Sequence, residues 1–339
     1  KSPAEPTRSM RANWEFALNM TSADWVCFIG DDDFVDPSVG SLLARLRKHD
    51  ETFDYMTWSH MRYQWPGWSD SNVTVEIKLS TQLKPYPLDK GFASITECAG
   101  KRPLALASLY HGALHRNVID KVRSAHTDDG IFFKHSNVDY FGGWVAGLHT
   151  QKAAYCNRPL SVAGACGKSN SAAVRTPGAM LRASRTAIAE AKADVVASIP
   201  DRTLSREVRS LTEFFHFISL DFFEFTDNKY SFVENWQEAL VQRAYRELSE
   251  RSTLESYEDL RDDLAQFFEE EKIEVPFEPS FGGTVDQTKL ARGLHGDGLM
   301  VMNDAFPTES AAEFYRFVNQ LLLRVDHVGN EVKYIKRGK

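Results

Sequence analysis

Apolar positions recur at helical spacing over residues 9–20, where Met10, Trp14, Ala17 and Leu18 follow a Ser9 cap. They then close into the run Trp25-Val26-Cys27-Phe28-Ile29, which predicts a buried strand. A helix over 39–47, begun by Asp36-Pro37-Ser38, a strand over 55–59 and a loop over 62–72 come next. Alternation over 73–79 predicts a strand, the apolar stretch 104–114 a buried one, and 117–123 a helix. A helix over 140–149 and two strands, 153–155 and 160–163, complete this mixed part. Beyond about residue 177 the texture changes to strong helix formers, with helices expected over 180–198, 204–225, 232–249 and 256–271. A Gly-rich break over 281–298 precedes a last helix over 309–323. The pattern therefore predicts an α/β unit over 1–175 and a mostly helical C-terminal unit over 176–339.

Composition narrows the class. Of 339 residues 42% are hydrophobic and 26% charged, a globular balance with material for a core. A net charge of -7 argues against a nucleic-acid binder, which needs a basic surface. No apolar run has the length of a membrane span. Cys27, Cys98, Cys156 and Cys166 form no CxxC pair and read as reduced thiols of a cytoplasmic protein, not a zinc site. Two sequons, at Asn19 and Asn72, are matches of a kind frequent by chance. The basic tail of Lys333, Lys336, Arg337 and Lys339 reads as a solvated end or as a peripheral contact with an anionic membrane surface.

The chemistry gathers where the first strand ends. Phe28-Ile29-Gly30 runs into Asp31, Asp32 and Asp33, three adjacent carboxylates whose repulsion a hard divalent cation would relieve. A solvated acidic turn explains the same residues. Asp139 stands at a helix start, where it is either a general base or a plain N-cap. Asn13 is a polar helix residue, and His111 beside an apolar stretch reads best as a satisfied structural group. The segment from Gly164 to Ser169 fails the phosphate-loop pattern because Val162 stands where Gly is needed, which leaves Lys168 as a diphosphate contact or a solvated side chain. Tyr63, Trp65, Trp68 and Tyr86 could form a sugar-stacking platform or simple packing, and the Phe-rich helix over 214–225 reads as core.

Five segments, in order, resemble a family-2 glycosyltransferase of the GT-A fold. They are the helix around Asn13, the strand Asp24 to Asp33 ending in a DxD-like triplet, Tyr110 to Arg116, Asn137-Val138-Asp139-Tyr140, and Arg158-Pro159-Leu160-Ser161-Val162-Ala163-Gly164 followed by Lys168-Ser169-Asn170. The resemblance implies a Rossmann-like mixed sheet that lacks the N-terminal part of the nucleotide-binding half. Gly30 stands where relatives carry an acid, Ser or Thr, and Val138 where they often carry Pro. By the same resemblance, Asp31, Asp32 and Asp33 hold Mn2+ or Mg2+, Asn13, Asp31 and Lys168 contact the nucleotide, and Asp139 is the base of an inverting transfer. The implied partners are a nucleotide-sugar donor and a saccharide or lipid-linked acceptor, with the helical unit packing, oligomerising or binding acceptor. A non-catalytic GT-A-like module that binds saccharide or protein is the alternative. A metal-dependent phosphotransferase would share the carboxylates but give Asp139 no role.

Overall fold

A computed structural model describes residues 8–65, 74–98, 109–126, 130–165, 178–191, 199–251, 253–282, 293–295, 298–302 and 308–328. The chain is mixed α/β, as the pattern predicts. It opens with α1 (Met10–Asn19), capped by Ser9 Oγ accepting from the Ala12 N–H. Strands β1 (Trp25–Val26) and β2 (Phe34–Val35) flank the acidic triplet, and α2 (Val39–His49) follows. Then come β3 (Phe53–Gln64), β4 (Thr74–Lys78), β5 (Leu83–Pro85), α3 (Leu88–Thr96), β6 (Gly112–His115), α4 (Arg116–His126), α5 (Tyr140–His149) and β7 (Lys152–Ala165). The main sheet has the order β1-β6-β3-β7-β2, with β5 also on β7. Its centre is the parallel pair β3 and β7, and all its other named strand pairs are antiparallel.

Both central strands exceed the expected lengths. β3 continues past Ser59 because Met61 and Tyr63 point into the core while His60 and Arg62 point out, the alternation of a half-buried strand. The two short strands expected at 153–155 and 160–163 are one strand interrupted by a bulge. Trp58 pairs with Cys156 and His60 with Ser161, so 157–160 bulge out opposite Ser59. Pro159 has no N–H for the ladder, and the Asn157 N–H is diverted to the Gln82 carbonyl at 2.8 Å. The first strand is shorter than expected: beyond Val26 the chain keeps only a parallel bridge from Phe28 to Tyr110.

The helices after residue 178 are α6 (Ala179–Ala191), α7 (Arg202–Ser205), α8 (Leu211–Phe225), α9 (Trp236–Ser249), α10 (Leu254–Glu270) and α11 (Ala311–Asn319). The single helix expected over 204–225 is broken, because Ser210 starts a new one. Its hydroxyl accepts from the Glu213 N–H at 3.0 Å, and the Glu213 carboxylate reaches back to the Arg209 N–H at 2.6 Å. Ser310 and Glu313 repeat this arrangement ahead of α11, a variant of the capping box in which the carboxylate accepts from the residue before the N-cap. Strand β8 (Gly293–His295), inside the stretch expected to be a Gly-rich break, pairs antiparallel with β9 (Gly298–Met302), which starts at the end of that stretch. No helix among the described residues is long and apolar enough to cross a membrane.

The change of texture near residue 175 is not a division of the core. Ile218, Phe222 and Phe223 of α8 share one buried cluster with Leu18, Tyr55, Ile119 and Trp144. Strand β9 pairs antiparallel with β4, and Phe314, Tyr315 and Val318 of α11 pack on Met61, Tyr63 and Val162. Burying a side chain such as Phe222 contributes about 1.5–3 kcal/mol, so the C-terminal segments stabilise the sheet directly. A second cluster, with Phe267 and Leu264 at its centre, belongs to α8, α9 and α10.

Candidate functional site at the acidic turn

The turn that carries the triplet is held from three sides. Trp14 of α1 stacks on Phe28 with ring centroids 4.6 Å apart and meets Phe133 and Tyr110 edge-on. This fixes the chain where it leaves the sheet. The Asp33 N–H then returns to the Gly30 carbonyl at 3.3 Å, closing a β-turn with Asp31 and Asp32 at its tip. The Asp33 carboxylate accepts from two backbone donors, Gly30 N at 2.8 Å and Gly164 N at 2.9 Å. Trp65 at the end of β3 donates its indole N–H to the Asp32 carbonyl at 3.1 Å.

Gly164 is required by packing: a β-carbon there would lie 1.9 Å from the Asp32 carbonyl oxygen. Two of the sequence segments that carry the resemblance, far apart in the chain, are thus in backbone contact. Burial pushes the Asp33 pKa up, against the two backbone hydrogen bonds that lower it, and the Asp31 charge adds to the rise. Burial also pushes the nearby Cys27 up to about 12, which keeps it a thiol. Asp31 is exposed and Asp32 half-buried at the tip.

Tyr110 links this turn to Asp139. Burial is the main cause of its raised pKa, followed by the carboxylates of Asp139, Asp33, Asp32 and Asp31. Four carboxylates therefore act on one phenol, with Asp139 contributing most among them. Asp139 begins α5, and its Oδ1 accepts from Tyr140 N at 2.9 Å and from Asn137 Nδ2 at 3.0 Å. Asn137 meets the helix's first donors itself, since its Oδ1 accepts from the N–H groups of Tyr140 and Phe141 at 3.2 Å each. The capping that alone would explain Asp139 is shared with Asn137.

Other candidates fall elsewhere. Asn13 is exposed on α1, next in sequence to the stacked Trp14. Lys168 and Trp68 lie outside the described residues. His111 is buried with φ at 54°, and its Nδ1 lies in hydrogen-bond reach of Ser161 Oγ at 2.8 Å, a hydroxyl that also accepts from Trp58 Nε1. Burial lowers its pKa to about 4, so the ring is neutral and structural. Tyr63 is fully buried, stacks on Phe314 and donates to the Thr308 carbonyl at 2.6 Å; it packs the core and offers no sugar platform.

The pattern along the chain held no sign of one further cluster. Among the described residues, the group in which three ligand atoms come within 4.8 Å of one another is His135, Asp201 and Asp221, and it could hold a metal ion. As folded, His135 Nε2 is in hydrogen-bond reach of Asp221 Oδ2 at 3.1 Å and lies 3.4 Å from Asp201 Oδ1. The Arg202 guanidinium also binds Asp221, so a cation at this point must compete with that charge and displace a ring proton. His135 and Asp221 stand 86 positions apart, and only the fold joins them.

Compared with known proteins, the chain matches no family model and no curated sequence.

Proposed function

We propose that the chain is a metal-dependent inverting glycosyltransferase that moves a sugar from a nucleotide-diphosphate donor to a saccharide or lipid-linked acceptor. The observation that carries this reading is the acidic turn pinned by Asp33 to the Gly30 and Gly164 amides, with the Asp139 carboxylate at the start of α5 near enough for both to act on Tyr110. Such a transfer needs negative charge beside the departing diphosphate, where a cation can bridge, and a separate base for the acceptor hydroxyl. The acidic turn offers the first and Asp139 the second.

The donor set suits a hard cation, because every group at the turn is a carboxylate or backbone oxygen. Asp33 is committed to the turn through both oxygens, so Asp31 and Asp32 at the tip would hold Mg2+ or Mn2+. The cation would supply Lewis-acid stabilisation of the leaving diphosphate. Asp33 and Gly164 keep the tip in place, and Asp139 takes the proton of the attacking hydroxyl. Asn13 on α1 would lie toward the nucleotide, as the resemblance implies.

The test is transfer or hydrolysis of UDP- and GDP-sugars by the full chain with Mn2+, compared with Asp31→Asn/Asp32→Asn and Asp139→Asn. Loss of about 10²–10⁴-fold in turnover for Asp139→Asn is the expected result. Turnover that survives both variants and added chelator would sink the reading. Tight nucleotide binding with no turnover in any condition would favour the non-catalytic module.

A further inference from the structure

One path of hydrogen bonds runs from the C-terminal helices to Asp139. Asp221 of α8 and Asp201 face His135 Nε2, His135 Nδ1 lies 2.9 Å from the Asn137 N–H, and Asn137 Nδ2 donates to Asp139 Oδ1. The direction of each bond can be assigned. A backbone N–H only donates, so Nδ1 is the bare nitrogen and the neutral ring carries its proton on Nε2, aimed at the two carboxylates. The ring is buried and lies flat on Phe141, with centroids 4.5 Å apart. Its partners are fixed in turn. Asp221 accepts from the Arg202 backbone at 2.9 Å and from its guanidinium, while Asp201 accepts from Ser136 N at 2.9 Å and Thr203 Oγ1 at 2.6 Å.

We propose that His135 is a positioning residue for Asp139: Asp221 and Asp201 hold its ring in one tautomer, the ring fixes the Asn137 backbone, and the Asn137 amide orients the carboxylate. The proposal rests on the reading of Asp139 as the base. It gives the helical half of the chain a role in catalysis that needs no contact with substrate. A base at the first turn of a helix stands where helices fray, and a misplacement of about 1 Å costs on the order of 10²-fold in rate. The path removes that freedom by tying the helix start to buried charges in α8 and just ahead of α7.

Two substitutions separate this role from a simple tie between elements. His135→Asn keeps an acceptor near the place of Nδ1 and loses the donor toward Asp221; His135→Gln does the reverse. In hydrogen exchange, the amides of Asn137, Tyr140 and Phe141 should stay protected in His135→Asn and exchange about tenfold faster in His135→Gln. With UDP-glucose and Mn2+ as the probe, kcat should fall about ten- to hundredfold in His135→Gln with KM unchanged, and little in His135→Asn. The opposite order of the two variants would overturn the proposal, since His135 would then serve only Asp221. Should the variants fail to fold, 15N chemical shifts of the wild-type ring decide. A ring with its proton on Nε2 and a bare Nδ1 supports the proposal, and a proton on Nδ1 ends it. If the exchange pattern holds while Asp139→Asn leaves turnover intact, the positioning stands and the assignment of the base falls.

Discussion

The α-carbon of Gly164 sits against the carbonyl of Asp32 so closely that a methyl group has no place, 1.9 Å from that oxygen. This contact holds the end of β7 against the acidic turn, and the Gly164 N–H to Asp33 Oδ1 bond reinforces it at 2.9 Å. Gly164→Ala must therefore push the turn away from the sheet. A loss of about 1–3 kcal/mol in urea unfolding is expected, together with loss of nucleotide binding. Unchanged stability would show that the turn can shift without cost.

Arg158 ties the C-terminal helix to the sheet. Its buried guanidinium donates to the carbonyls of Leu323 and Pro159, to the Tyr315 hydroxyl and to Asn319 Oδ1, and lies 3.8 Å from Asp36. Arg158→Ala leaves those acceptors without their donor and removes the cation beside Asp36, which keeps its bonds from Ser38 and the Tyr315 hydroxyl, at an expected cost of about 3 kcal/mol. Adding Asp36→Asn should recover part of the loss. Full additivity of the two changes in a denaturant titration would mean that the pair is not coupled.

Stability should fall on acidification through His111. Burial lowers its pKa from the ordinary 6.5 to about 4 in the folded chain. Between these values the unfolded chain binds the proton and the folded chain does not, so stability is full above pH 6.5 and is lost as pH falls toward 4. The whole difference is about 3 kcal/mol. His111→Asn tolerates the positive φ and cannot titrate, so it should flatten the melting-temperature profile in that window. An unchanged slope would assign the acid sensitivity to other groups.

Cation and nucleotide should bind together at the tip of the turn. UDP with Mn2+ at a hundred times its dissociation constant should add about 2.7 kcal/mol to the unfolding free energy, and EDTA should remove that gain. Asp31→Asn/Asp32→Asn should abolish the metal-dependent part while leaving the apo melting temperature nearly unchanged. A full shift in that variant would place the cation elsewhere, with His135, Asp201 and Asp221 the next candidates.

The readable parts of the sequence were those governed by local physics. Helix α5 and the start of β1 follow from apolar spacing, though β1 stops at Val26, short of the acidic triplet, and Asp139 stands out because carboxylates begin helices. Ser210 and Glu213 carried a capping signature that a long run of helix formers obscured. The bulge at Arg158 and Pro159 read as a strand end because Pro interrupts the alternation. Long-range relations left no local trace. Nothing in the neighbourhood of Gly164 indicates that Asp32 will touch it, and His135 has no pattern joining it to Asp221. The pairing of β9 with β4 was equally hidden, since Gly298 to Met302 is too short for periodicity to identify.

That last pairing bears on how the chain is made. The cover of the sheet comes from Phe314, Tyr315 and Val318, and Arg45 of α2 donates to the carbonyls of Asp326 and Val328 at 2.7 and 2.8 Å. During synthesis from the N-terminus, the face formed by Met61, Tyr63, Ile77 and Val162 stays bare until these late residues emerge from the ribosome. The early strands must wait with an exposed apolar surface, and a fragment ending at residue 175 is expected to aggregate on expression. The acidic turn draws its own contacts from residues up to Gly164, but the strands that carry it stay uncovered until the residues around Phe314 are present.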